Sequence, residues 1–146
     1  MKLEIIKLKK YFNDKGSIFE GIKNSDSRFA GFGEIYFSEV YQGEIKGWKQ
    51  HKRMTMNLIV IMGTIKFFLV NEKSGEMFKV CIGNDNYSRI VVPPMYWMAF
   101  KGVDTKNILC NLASIEHDPE EQTNKNLNHF DINSNDFFDL NQEELN

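Results

Sequence analysis

Gly43-Glu-Ile-Lys-Gly47-Trp-Lys49-Gln-His51-Lys-Arg53-Met-Thr-Met56-Asn-Leu-Ile-Val-Ile-Met62-Gly63 is a glycine-bounded run whose first half is polar and cationic and whose second half is apolar. Alternate side chains of an extended strand share a face, so Lys49, His51 and Arg53 point one way and Trp48, Gln50 and Lys52 the other. Such a cationic face beside aromatic residues suits an anionic, sugar-like ligand, although a solvated strand face carries the same pattern. The apolar half reads as a strand that Gly63 ends. Because the next strand begins at once, Leu58 to Val70 is predicted to form a tight hairpin.

Working outward, β-branched and aromatic residues recur from Gly33 to Ile115 in short runs bounded by Gly, Pro, Asn and Asp. The runs are Glu34 to Tyr41, Gly47 to His51, Met56 to Met62, Thr64 to Val70, Glu76 to Ile82, Arg89 to Val92, Trp97 to Gly102 and Asn107 to Ile115, with a shorter one near Ser17 to Ile22. None sustains a helical apolar period for three turns. Short strands at this spacing predict an all-β fold, an antiparallel jelly-roll sandwich or barrel. Asn84-Asp85-Asn86 reads as a turn, and Pro93-Pro94, which cannot donate to a ladder, is expected to begin or end an edge segment.

The chain has 146 residues, enough for one domain at roughly 100 to 200 residues each. Residues 1–120 are read as that domain and 121–146 as a polar tail, which Leu127, Phe130, Ile132, Phe137 and Phe138 either anchor to the domain or leave frayed. Eighteen Lys and Arg against twenty Asp and Glu leave a net charge of -2, which gives no reason to expect nucleic acid as a partner. The longest apolar run, Leu58 to Met62, is far too short for a membrane-spanning helix, and Met1 to Lys10 is too rich in lysine for a signal sequence. A cytoplasmic protein is therefore expected, with Cys81 and Cys110 as buried free thiols.

At the glycine-bounded run the chain resembles the cupins. Gly43, Lys49, His51, Met56 and Gly63 fall in the frame of the first cupin motif, which presents His-x-His and a Glu, and Pro93 to Gly102 occupies the place of the second, Pro-x-Gly-x-x-His. The ligand positions read Lys49, His51, Met56 and Met98, so one imidazole survives, and no metal or other cofactor is expected.

Within the cupins the chain is similar to the metal-free dTDP-4-dehydrorhamnose 3,5-epimerases and their nucleotide-sugar 3,4-ketoisomerase relatives. Four pieces match in order: Asp14-Lys15-Gly16-Ser17-Ile18-Phe19-Glu20, Ile45-Lys46-Gly47-Trp48-Lys49, Val92 to Gly102, and Asn111 to Glu121 with its Asp118-Pro119-Glu120. The resemblance implies a homodimer that binds a nucleoside-diphosphate 4-keto sugar in the barrel mouth. The implied chemistry, proton transfer α to the ketone, requires a base, a stabilised enolate and an acid. Lys49 stands at the epimerases' base position, the second histidine of the ketoisomerases falls on His51, and Glu116 or His117 takes the place of the family's acid tyrosine.

His51, Lys49 and His117 are accordingly the catalytic candidates. Those for substrate binding are Arg53 and Lys15 for the diphosphate, Tyr96 and Trp97 as stacking surfaces at the rim, and Asn57, Asn111 and Glu116. A bland reading stands beside each: Tyr96 and Trp97 suit core or dimer packing, and the two asparagines suit buried amides that tie strands together. His117-Asp118 has the composition of a base and its orienter, yet adjacent strand residues point apart. Overall, a metal-independent epimerase or ketoisomerase of surface-polysaccharide sugars is expected, and a binding module that has lost its acid and base is the rival.

Overall fold

In a computed structural model, residues 1–130 are described. They form twelve strands in chain order: β1 (Glu4–Lys7), β2 (Lys10–Tyr11), β3 (Ile18–Phe19), β4 (Glu34–Tyr41), β5 (Ile45–His51), β6 (Met56–Met62), β7 (Thr64–Asn71), β8 (Met77–Gly83), β9 (Ser88–Val92), β10 (Tyr96–Gly102), β11 (Lys106–Ala113) and β12 (Gln122–Asn124). Two five-stranded sheets, ordered β1-β9-β6-β11-β4 and β12-β5-β10-β7-β8, stack face to face, and β2 pairs with β3 in a small hairpin. All pairings within the sheets are antiparallel, and this is the jelly roll that the strand spacing predicts.

The core between the sheets draws from both: Val40, Leu58, Val60 and Leu109 from the first, Ile65, Phe67, Leu69 and Ile82 from the second. The second sheet is buried on both faces, because Trp48, Phe68, Val70, Trp97 and Ala99 form another apolar cluster on its outer side, against which Phe130 packs. A third cluster, Leu8, Ile59 and Tyr87, covers part of the first sheet's outer face. Beside it Arg89, only 2% exposed, is held by Asp26, whose carboxylate also accepts from Arg28. Those two guanidinium groups hold the Asp26 carboxyl far below the usual carboxylate range.

Two expectations about turns are corrected. β6 and β7 do not form a hairpin: β6 pairs with β9 and β11, β7 with β10 and β8, and Gly63 carries the chain from one sheet to the other. Gly63 has φ +78°, and a Cβ there would lie 2.2 Å from the Lys106 carbonyl oxygen, so glycine is required for the crossover. Pro93-Pro94 adjoins no edge strand, since β9 lies between β1 and β6 and β10 between β5 and β7. The prolines occupy the link between sheets, where no ladder donor is needed.

The stretch read as a polar tail opens with order. Asp118 caps a single 3-10 turn, Pro119–Glu121, by accepting from Glu120 N, and β12 then adds to the edge of β5. Of the residues proposed to anchor the tail, Ile132, Phe137 and Phe138 lie outside the described residues.

Candidate active site

β5 runs along the wall of a cavity of about 260 Å³ between the sheets. Lys49 and His51 face it from β5, Met98 and Phe100 from β10, Tyr36 and Ser38 from β4, Leu109 and Asn111 from β11, and Met56 and Leu58 from β6. The alternation of each strand sets this: residues two apart share the inward face. Pockets for drug-sized ligands run from roughly 300 Å³ upward, so this cavity lies at the small end of that range.

His51 is 5% exposed, and its Nδ1 meets the carboxylate of Glu121. The same carboxylate accepts from the backbone N–H of Arg53 at 3.0 Å and of Met54 at 3.2 Å. Burial alone would raise the Glu121 carboxyl, but the His51 contact and the two backbone donors outweigh it and hold the group below its ordinary value. Glu121 therefore stays ionised and accepts from Nδ1 of the imidazole, which leaves Nε2 as the ring nitrogen available to the cavity. The pairing follows from register: β12 sets Gln122 opposite His51, and the 3-10 turn before it aims Glu121 inward.

Across the cavity, on the other sheet, the Tyr36 hydroxyl accepts a hydrogen bond of 2.8 Å from Asn111 Nδ2. Burial pushes this phenol above its ordinary value, and Glu34 and Glu121 act in the same direction, so Tyr36 is a protonated donor at neutral pH. Among the described residues no Asp or Glu lines the cavity, whereas Lys46 and Lys49 both do. That lining favours a ligand that is anionic or becomes so during reaction.

The cavity thus brings together three residues expected from the sequence: His51, Lys49 and Asn111. The others stand elsewhere. Arg53 lies beyond the end of β5, exposed, in an ion pair of 3.0 Å with Asp118. Lys15 is in the exposed turn between β2 and β3, where its backbone N–H donates to Asn13 Oδ1. Trp97 faces the outer cluster and donates through Nε1 to Glu72, because it is out of phase with Met98 and Phe100. Tyr96 starts β10 beside Phe78 and accepts from Asn71 Nδ2. Asn57 alternates with Met56 and Leu58 and is buried outside the cavity with its Oδ1 unpaired. Glu116 and His117 are both exposed, and His117 N–H donates to Glu34. His117 is therefore not among the residues that line the cavity with Lys49 and His51.

Glu121 and Tyr36 are the site residues that sequence reasoning missed. Glu121 sits in the Asp-Pro-Glu-Glu match, but its contact with His51 spans 70 residues. Tyr36 occupies an inward position of a well-marked strand, a signal that was available without any motif. Among the described residues, no group of three His, Cys, Asp or Glu side chains is placed to hold a metal ion. No helix among them is long and apolar enough to cross a membrane.

Two antiparallel sheets enclosing a cavity lined by polar and apolar side chains, with a histidine on the glycine-bounded strand, define a cupin-type protein. The particular family is given by the family model described as FdtA, WxcM-like, C-terminal, which matches residues 1–133: the chain belongs to that family. Among solved structures it is similar to a dTDP sugar isomerase from Desulfovibrio desulfuricans, with 28% identity, 87% of this chain and 85% of that one covered, and a TM-score of 0.83. It shares its fold with a sugar 3,4-ketoisomerase from Thermoanaerobacterium thermosaccharolyticum solved with TDP (21% identity, 83% and 86% covered, TM-score 0.71). It also shares it with a 3,5-epimerase from Legionella pneumophila solved with dTDP-4-keto-L-rhamnose (16% identity, 86% and 73% covered, TM-score 0.77). No curated protein matches the chain.

Proposed function

We propose that this protein catalyses metal-independent proton transfer α to the ketone of a nucleoside-diphosphate 4-keto-6-deoxy sugar, as an epimerisation or a keto isomerisation. The observation that carries the reading is the opposition of the His51–Glu121 dyad on one sheet and the Tyr36 hydroxyl on the other across a single cavity. Nε2 of His51 removes the α proton, and Glu121 stabilises the imidazolium that forms. Lys49 faces the enolate oxygen as an electrostatic partner. Tyr36 supplies a proton from the opposite side: to carbon in an epimerisation, to the former ketone oxygen in a keto isomerisation.

The reading includes a cytoplasmic protein, which the two free thiols Cys81 and Cys110 support, and a product among surface-polysaccharide sugars, which the resemblance to nucleotide-sugar enzymes supports. A homodimer is part of the reading, supported by the outer face of the first sheet, where Ile35, Phe37, Tyr41 and Ile61 are exposed together. Lys49 at the epimerases' base position favours the rival, a binding module without catalysis. Incubation with dTDP-4-keto-6-deoxyglucose and NMR analysis of the sugar decides between them. A new sugar isomer supports the proposal, whereas shifted nucleotide signals with an unchanged sugar support the rival.

A further inference from the structure

Glu121 reaches His51 on a segment, residues 121–130, that runs back along β5. Lys52 N–H donates to the Glu121 carbonyl at 2.8 Å, and β12 pairs Gln122, Thr123 and Asn124 with His51, Gln50 and Lys49. Lys125 then exchanges two backbone bonds with Trp48, of 3.0 and 2.9 Å. Alternation gives the segment two faces. Gln122 and Asn124 share the side of His51 and Lys49, and Asn124 lines the cavity. Lys125 shares the side of Trp48, and its Nζ stands 4.9 Å from the centroid of the Trp97 ring.

Ladder bonds at an exposed sheet edge replace bonds to water at small net gain, so such a segment is held by the apolar surface it buries. Leu127 and Phe130 are the only apolar residues from 121 to 130, and Leu127 is 40% exposed. The anchoring therefore falls on Phe130. Its ring meets Trp48 edge-on with centroids 4.8 Å apart and Trp97 in the same manner at 6.1 Å, on the outer face of the second sheet. Trp48 is fully buried and its Nε1 donates to the Leu127 carbonyl at 3.0 Å, so the same indole fixes the 3-10 turn, Leu127–His129, that presents Phe130.

Resting on the reading above, we infer that Phe130 is a positioning residue for the proposed reaction: seated against Trp48 and Trp97, it holds residues 121–130 to β5 and so keeps Glu121 on His51 Nδ1. Phe130 lies on the far side of β5 from the cavity and acts through Glu121. Without its ring the edge segment frays from Lys125 back toward Glu121, and His51 Nδ1 loses the acceptor that decides which ring nitrogen serves the cavity. Anchor and dyad stand on opposite faces of one strand, so the loss reaches His51 while the side chains that β4, β6, β10 and β11 contribute to the cavity stay in place.

The test uses the full chain and two readouts. The first needs no substrate: nitrogen NMR of the His51 ring, assigned against His51→Asn, should show a proton held on Nδ1 in the wild type and a mixture of tautomers in Phe130→Ala. The second is deuterium exchange α to the ketone of dTDP-4-keto-6-deoxyglucose. Phe130→Ala should slow it about 10-fold in the wild-type background but less than roughly 2-fold in Glu121→Gln, because a residue that acts through Glu121 has nothing left to act on there. Ring signals in Phe130→Ala identical to the wild type overturn the inference, and so does equal slowing in both backgrounds, the mark of a merely structural role. A Phe130→Ala chain that does not fold makes Phe130 part of the core and overturns it as well. A wild type that exchanges no α proton overturns the proposed function instead, and the ring signals then decide the inference alone.

Discussion

Replacing Glu121 by Gln keeps the shape of a side chain that is 3% exposed but removes the charge on which three hydrogen bonds converge. The amide has one acceptor where the carboxylate had two. If its oxygen stays with the Arg53 and Met54 N–H groups, its NH2 meets His51 Nδ1 and forces that nitrogen to accept, which moves the imidazole proton to Nε2. A histidine protonated on Nε2 cannot take a proton from a ligand in the cavity, so deuterium exchange falls at least ~100-fold. With hydrogen bonds to a buried charge weighing about 1.5–3 kcal/mol each and part of the set retained, the variant loses about 2–4 kcal/mol of stability.

The pH dependence has a definite sign. Glu121 is held below its ordinary value in the fold, so its contribution is fully present above the ordinary carboxylate range and is lost as pH falls toward the folded value. Urea unfolding at pH 7 and pH 4 should therefore show a wild-type advantage over Glu121→Gln that shrinks at the lower pH. Equal stability at pH 7, or an advantage that grows on acidification, refutes the reasoning, as does unchanged exchange in a folded variant.

The remaining outcomes concern separate parts of the molecule. Lys49→Gln should slow α-proton exchange by about 100-fold while dTDP affinity stays within roughly 2-fold, because in the proposed reaction its charge faces the developing enolate. Asp26→Asn should cost about 3 kcal/mol in urea unfolding, since it leaves the buried Arg89 guanidinium without a counter-charge. If the proposed homodimer forms through the exposed apolar face, Phe37→Glu should convert it to a monomer in sedimentation at micromolar concentration; an unchanged sedimentation coefficient removes that face from the interface.

The strands were legible where a β-rich run ends in an unmistakable breaker: Glu34–Tyr41 and Met56–Met62 are read to the residue. β1, β2 and β12 were missed because they are only two to four residues long, and β1 and β12 sit at sheet edges where pairing depends on a partner rather than on their own pattern. Pairing across Gly63 was misread for a related reason. Local sequence marks a turn at Gly63, but whether the chain turns within a sheet or crosses to the facing one is set by distant β11, whose Asn107 Oδ1 receives Thr64 N–H.

Parity explains the site as well. Spacing two placed Lys49 and His51 on one face correctly, and it failed for Arg53 because β5 ends at His51. Trp97 lies on a strand buried on both faces, where hydrophobicity does not tell inside from outside. The Glu121 and Tyr36 partnerships arise from strand register between segments 70 and 75 residues apart, which no short motif encodes.

In the proposed reaction His51 is the base of this cavity. The most direct measurement is NMR of dTDP-4-keto-6-deoxyglucose in deuterated buffer, following the sugar C3 and C5 protons with the wild type and with His51→Asn. A base at His51 should give loss of a proton signal α to the ketone with the wild type and its retention with a folded variant that still binds dTDP. Exchange at the wild-type rate in that variant contradicts it.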